Sequence, residues 1–294
     1  MDSSDDGDNH NESALASWEV RSMSVMTQIQ THLDRFNGTF TSSDLVFVWA
    51  GMNDVISQMT KWTADIQTIQ DRYLFNYLFN STNMTDTSLL TQASAEQSAA
   101  IELAFDTIAQ VANTLGNHVI DFIVSRGAQY VIVIGLPDLS TSPYGAELSE
   151  TYVQYSGRYE LLRERGNYTQ WMLGALSTIF NRELVSTLYS SRQSGNGVQF
   201  VDPSGLFYAL SSFGFSNVAT PACDKLKISE FVGRNISTMW SLACNIAEPY
   251  NYLVSEASAS SWFWADDVHP TMGGHQLLSE ALWENMRGTF EWVV

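Results

Sequence analysis

Basic residues are scarce in this chain of 294 residues, where 14 Lys and Arg stand against 32 Asp and Glu, a net charge of −18. A field of that sign repels phosphate backbones and anionic membrane surfaces, so we expect no nucleic-acid partner. Long apolar runs are missing too. The stretch from Tyr130 to Leu136 is among the longest, well below the roughly 20 residues that a membrane-spanning helix needs. We therefore expect no stable membrane insertion.

Several catalytic and metal-binding signatures are also absent. No Gly-x-Ser-x-Gly sequence occurs, which argues against the nucleophile elbow of α/β-hydrolases. No His-Glu-x-x-His pattern occurs, and His275 follows His269 at a spacing that suits two zinc ligands on one helix poorly. The glycines at 195 and 197 precede a predicted strand rather than a helix, so they indicate a turn and not a phosphate-binding loop. We predict no metal site and no cofactor.

Cysteine is limited to Cys223 and Cys244. A disulfide between them would stabilise the fold by ~3 kcal/mol on the chain-entropy model, but two buried unpaired thiols fit the count equally well. Asn-x-Ser/Thr sequons occur at Asn11, Asn37, Asn80, Asn83, Asn167 and Asn235. Cysteines and sequons together favour a secreted glycoprotein. Because residues 1–13 are acidic and polar, we expect its signal peptide to lie outside this chain.

The apolar pattern predicts an α/β fold. Four continuous apolar runs with β-branched or aromatic residues predict buried strands at 45–50, 128–134, 198–202 and 262–265. Helical spacing predicts helices from a cap at Ser13 or Ser17 to Asn37, then over 88–125 with a break near Gly116, 167–191, 203–213 and 270–286. Residues 214–261 are predicted to be a long loop. The alternation favours one mainly parallel sheet with helices on both faces, formed by a single domain over 14–294 after a flexible acidic segment, 1–13.

Two short polar turns follow predicted strands, where ligands of parallel sheets bind. One is Gly51-Met52-Asn53-Asp54, and the other is Asp266-Asp267-Val268-His269. Asp266 could hold one ring nitrogen of His269 and leave the other free for proton transfer. Asn53 could donate its amide N–H to a developing oxyanion. A base, its orienting carboxylate and an oxyanion donor are the parts that acyl transfer needs.

These turns resemble the third and fifth sequence blocks of the GDSL esterase/lipase family, the SGNH hydrolases, the second continuing through Pro270-Thr271. The resemblance implies a three-layer sandwich of a mainly parallel sheet between helices. It implies that His269 is the general base, that Asp266 orients it with Asp267 as a substitute, and that Asn53 donates to the oxyanion. Gly51 would let the backbone turn, and Asp54 would cap the following helix.

The nucleophile block of this family is matched only by Met1-Asp2-Ser3, with no strand before it. The second block is not found in residues 10–44. The resemblance therefore implies a fold that lacks the first strand, with Ser3 as the nucleophile or with the true N-terminal block missing. The expected function is hydrolysis of carboxylic esters of lipids or acetylated carbohydrates. The alternative is a truncated or non-catalytic member that serves as a binding scaffold.

Overall fold

The computed structural model of the chain describes residues 23–75, 87–148, 166–190, 197–232, 244, 252–254, 257–258 and 260–289. Three strands within these ranges form one sheet in the order β1-β2-β3, and both pairs are parallel. The strands are β1 (Leu45–Trp49), β2 (Tyr130–Ile134) and β3 (Val198–Val201). They confirm three of the four strands that the apolar runs predicted. The expected flexible segment, 1–13, lies outside the described residues.

Helices connect and cover the strands. They are α1 (Val25–Arg35), α2 (Met52–Phe75), α3 (Thr87–His118), α4 (Gly166–Ser190), α5 (Ser204–Tyr208), α6 (Lys225–Val232) and α7 (Met272–Thr289). Beyond Gly116, where a break was predicted, α3 continues to His118 and then widens into a π-helix, Val119–Ile123. Helix α1 begins at Val25, where the hydroxyl of Ser24 accepts the capping hydrogen bond from Thr27 N–H; the predicted caps Ser13 and Ser17 lie outside the described residues.

The two faces of the sheet are covered by different helices. On one face, Val131, Val133 and Val48 belong to the main core, which also contains residues of α1 to α4. On the other face, Ile132 and Ile134 cluster with Met286 of α7. Parallel sheets are buried on both faces when crossover helices lie on both sides. The coarse prediction of an α/β fold with a parallel sheet between helices is therefore confirmed.

Strand β1 is less buried than its sequence predicts. Its alternate residues Phe47 and Trp49 are 48% and 39% exposed, although the apolar run indicated burial on both faces. The partly buried residues that pack on the Ile132 cluster are Leu45, Tyr130, Val201 and Leu282. On this face, the side chains of the Ile132 cluster therefore reach the first residue of β1, while Phe47 and Trp49 in its second half stay exposed within the described residues.

The predicted strand 262–265 is wrong as a sheet strand. Trp262 forms an isolated parallel bridge with Asn217, and Trp264 forms an isolated antiparallel bridge with Pro270. The burial of the run was predicted correctly, because Phe263 and Trp264 are 0% and 1% exposed. Their contacts are aromatic: Phe207 of α5 meets both rings within 5.8 Å between centroids. Its backbone also pairs, but with the loop rather than with the sheet: Phe263 N–H donates to the carbonyl of Asn217, and the carbonyls of Trp264 and Ala265 accept from Ala222 and Cys223.

The predicted loop 214–261 contains helix α6. Asp224 caps it, since its Oδ1 accepts from the backbone N–H groups of Leu226 and Lys227 at 3.1 and 3.2 Å. The two cysteines do pair, with Cα atoms 6.0 Å apart. A disulfide of this kind fits the oxidising compartment expected for a secreted chain. No helix in the described part of the chain is long and apolar enough to cross a membrane.

Candidate functional site

The turn from Asp266 to His269 is built on one buried carboxylate. Asp266 is 0% exposed, and its Oδ1 accepts from the backbone N–H groups of Val268 and His269 at 2.9 and 2.7 Å. The same carboxylate meets the ring of His269, with Nδ1 2.9 Å from Oδ2 and 3.0 Å from Oδ1. A carboxylate holding both backbone and ring fixes the position and the tautomer of the imidazole.

The other edge of the imidazole is open. The side chain of His269 is 36% exposed, and its Nε2 makes no hydrogen bond within the described ranges. With Nδ1–H donated to Asp266, Nε2 carries the lone pair. The arrangement therefore presents a basic nitrogen to solvent with a buried anion behind it, which is what a general base requires.

The hydrogen bond to Asp266 raises the pKa of His269 above its ordinary value of 6.5, and the charge of Asp266 adds to this effect, while burial of the ring opposes both. Burial lowers the pKa of His275, and the charge of His269 lowers it further. The pKa of His269 is therefore raised and that of His275 is lowered, so His269 is the ring that more readily carries a proton. Of these two rings, His269 is the one that hydrogen-bonds a carboxylate within the described residues.

Backbone contacts close the turn and tie it to the core. Ala265 N–H donates to the carbonyl of His269 at 2.7 Å, and Thr271 N–H donates to that of Phe263 at 2.7 Å. The side chain of Val268 is 1% exposed and belongs to the main core. A residue on each side of His269 is thus fixed, so the imidazole sits on a rigid support.

Asp267 points to a different partner from Asp266. Its side chain is 6% exposed, and its Oδ2 accepts from Lys225 Nζ at 3.0 Å. The same ammonium meets both oxygens of Glu147, at 3.1 and 2.9 Å. Asp266 and not Asp267 therefore bonds the imidazole, which is the contact that the sequence predicted first. Asp267 is instead a buried carboxylate neutralised by Lys225.

Sequence reasoning missed Lys225 and Glu147. They lie 42 and 120 residues before Asp267 in the chain, and no local spacing connects them with the turn. The only hint was the scarcity of cations in an acidic chain, which makes each Lys or Arg beside a buried acid informative. A cavity of about 350 Å³ opens at this cluster; its lining includes Glu147, Asp224, Lys225, Leu226, Val254 and Asp267.

The second predicted turn begins α2. Gly51 has φ +108, and a Cβ built there would lie 2.2 Å from Cζ of Phe180. Only glycine fits this backbone and this contact. Asn53 follows as the second residue of α2 and is exposed. Asp54 is the third residue, so it lies in the first turn rather than at the cap position; burial raises its pKa.

Tyr144 lies between the Asp267 turn and helix α2. Its backbone N–H donates to the carbonyl of Asp267 at 3.0 Å; burial raises the pKa of its phenol, and Thr60 of α2 opposes this rise. Asn53 lies two turns before Thr60 on the same helix, about 10 Å along its axis. The side chain of Asn53 makes no hydrogen bond within the described ranges. Of the predicted site residues, Asp266 and His269 are in direct contact, whereas no hydrogen bond joins Asn53 to either of them within the described ranges.

Ser3 lies outside the described residues. Among those described, no Ser, Thr or Tyr hydroxyl bonds Nε2 of His269. No group of three or more His, Cys, Asp or Glu side chains within the described ranges could hold a metal ion. The site defined by the fold is an aspartate–histidine pair beside a parallel sheet. Comparison with known proteins adds no family: no family model matches the chain, and no curated protein matches it.

Proposed function

We propose that this protein hydrolyses carboxylic esters in the manner of the SGNH hydrolases, with His269 as general base and Asp266 as the group that orients it. The observation that carries the proposal is the bond of a fully buried carboxylate to one ring nitrogen while the other faces solvent. An ordinary capped turn needs the two backbone hydrogen bonds to Asp266 but not the ring contact. The ring contact is what a proton-transfer role adds.

In this mechanism, Nε2 of His269 removes the proton from a hydroxyl nucleophile as that oxygen attacks the ester carbonyl. Asp266 stabilises the imidazolium that forms, and the proton is then given to the leaving alcohol; a water molecule deprotonated by the same nitrogen next attacks the acyl-enzyme, which releases the acid and returns the proton to the hydroxyl. Asn53 donates its amide N–H to the tetrahedral oxyanion, a contact whose removal costs roughly 3–4 kcal/mol in the type case. The family resemblance makes Ser3 the candidate nucleophile and makes lipid or acetylated-carbohydrate esters the substrate class.

Hydrolysis of nitrophenyl acetate and butyrate by the purified chain tests the proposal. Wild type and the control His275→Ala should turn over, because His275 does not contact Asp266. His269→Ala should lose roughly 10³-fold or more in kcat. Activity should rise with pH through the raised pKa of His269, above 6.5, because only the neutral ring accepts a proton. Equal turnover by wild type and His269→Ala would refute catalysis by this pair.

A second function is a non-catalytic scaffold with the same fold. It is favoured by one observation: in the described part of the chain, Nε2 of His269 has no hydroxyl partner. Such a protein would bind an ester beside His269 without cleaving it. Turnover by wild type that disappears in Ser3→Ala would exclude this alternative. Saturable protection of His269 from an imidazole-modifying reagent by an ester that stays intact would support it.

A further inference from the structure

The end of helix α1 carries an accessible Asn-Gly-Thr sequence. The helix ends at Arg35, and Asn37 follows with φ +56 in a turn. Asn37 and Thr39 are exposed, whereas Phe40 turns inward and is 8% exposed. The side-chain amide of Asn37 makes no hydrogen bond within the described ranges. An exposed, unengaged asparagine in a turn of this sequence is an acceptor for an N-linked glycan.

A cavity lies beside this amide. Its volume is about 370 Å³, and it is lined by Gln30, Leu33, Asp34, Asn37, Gly38, Phe122 and Arg126. Phe122 comes from the π-helix that follows α3, and π-helical turns are frequent at functional positions. The lining combines an aromatic ring with amide, carboxylate and guanidinium groups. Sugars present both apolar C–H faces and hydroxyls, so this surface matches their chemistry.

We propose that Asn37 carries an N-linked glycan and that its first N-acetylglucosamine lies in this cavity, against Phe122 and Arg126. A Cβ added at Gly38 would meet nothing within 4 Å, so no neighbouring atom crowds the middle residue of the sequon. The proposal is independent of ester hydrolysis. It rests on the exposed sequon and on the cavity that adjoins it.

The sequon at Asn167 has a different environment. It lies in the first turn of α4, and Thr169, its hydroxyl residue, is 1% exposed.

The Asn37 turn precedes β1, so it lies toward the amino ends of the parallel strands, whereas Gly51 follows the carboxyl end of β1. A glycan at Asn37 therefore leaves the candidate site open.

Peptide mass spectrometry tests occupancy. The chain is expressed with a cleavable leader in eukaryotic cells, and both the medium and the luminal pool are analysed. The peptide containing Asn37 should carry a glycan core in wild type and in Thr39→Ser, which keeps the hydroxyl. Asn37→Gln and Thr39→Ala should abolish it. An unmodified Asn37 peptide in protein recovered from that pathway would overturn the proposal.

Thermal unfolding tests the cavity contact. Glycans are trimmed to the single attached sugar, and the reference is wild type made without glycosylation in the bacterial periplasm, because Thr39→Ala would also remove the hydrogen bond from the Thr39 hydroxyl to the carbonyl of Phe36. The trimmed wild type should have a Tm higher by on the order of 2 °C. Arg126→Ala should remove this increment, and the matched control Arg35→Ala, exposed but outside the cavity, should keep it. Equal Tm values with and without the sugar, or an increment untouched by Arg126→Ala, would refute the contact.

Discussion

Replacing Asp266 by Asn tests whether the charge of this carboxylate sets the tautomer and the pKa of His269. Asn keeps an oxygen that can accept from the backbone N–H groups of Val268 and His269, now bound at 2.9 and 2.7 Å. It removes the charge that faces the ring and places an amide N–H where a carboxylate oxygen stood. The imidazole should therefore turn to the other tautomer, with Nδ1 accepting from Asn and Nε2 protonated.

The magnitude follows from the kind of bond that is lost. A hydrogen bond to a charged group contributes about 1.5–3 kcal/mol and a neutral one about 1 kcal/mol. The side chain of His269 is 36% exposed, so solvent screening places the charged bond at the lower end of that range. Below the unfolded pKa of the ring, Asp266→Asn should cost about 0.5 kcal/mol more stability than it does in alkaline solution, the difference between the two kinds of bond.

The direction of the pH dependence follows from the linkage between protonation of His269 and folding. The pKa of His269 is raised in the folded protein, so the stability contributed by its imidazolium is fully present below about pH 6.5 and is lost as pH rises through the folded pKa. Asp266→Asn should therefore cost most at about pH 5.5 and least at about pH 9. Urea unfolding at both values measures the difference, and ¹⁵N NMR of the imidazole reports the tautomer. An unchanged tautomer together with a cost independent of pH would refute the reasoning.

Three further predictions concern stability. Lys225→Met should destabilise by about 2–3 kcal/mol because it leaves Asp267 buried without its cation, and Lys225→Arg should recover most of this in urea unfolding; equal loss in both would refute the charge argument. Gly51→Ala should cost more than about 2 kcal/mol, against about 1 kcal/mol for Gly38→Ala, where no atom is near; similar costs would contradict the clash with Phe180. Reduction of the disulfide, which spans 21 residues, should lower the free energy of unfolding by about 3 kcal/mol, and a reductant-insensitive midpoint would contradict it.

The parts of the fold that can be predicted from sequence are those that depend on residues close together in the chain. Strands β1, β2 and β3 are short runs of β-branched and aromatic residues between turn residues, and their length, composition and flanking turns favour a strand over a helix. The contact of Asp266 with His269 was predictable for the same reason, since three positions along a tight turn bring the two side chains together. Local geometry alone decides it.

Contacts between distant segments were not predictable. Nothing in the sequence near Asp267 indicates that Lys225 neutralises it, because two loops of unknown path must first be placed. The segment 262–265 was predicted to be a strand since burial and strand character look alike in a short aromatic run. Whether such a run joins the sheet, or instead pairs with the loop at Asn217 and packs on Phe207, depends on segments elsewhere in the chain.

The two adjacent carboxylates of the turn give a last reason to regard it as a site. Burying Asp266 and Asp267 side by side is unfavourable unless each has a partner. Lys225 compensates Asp267 and is itself bound by Glu147. Asp266, besides its other contacts, bonds the titratable ring of His269. An imidazole takes up and releases a proton near neutral pH, which an ammonium group does not. A buried carboxylate bonded to a histidine whose other nitrogen is open therefore supports the proposed proton transfer.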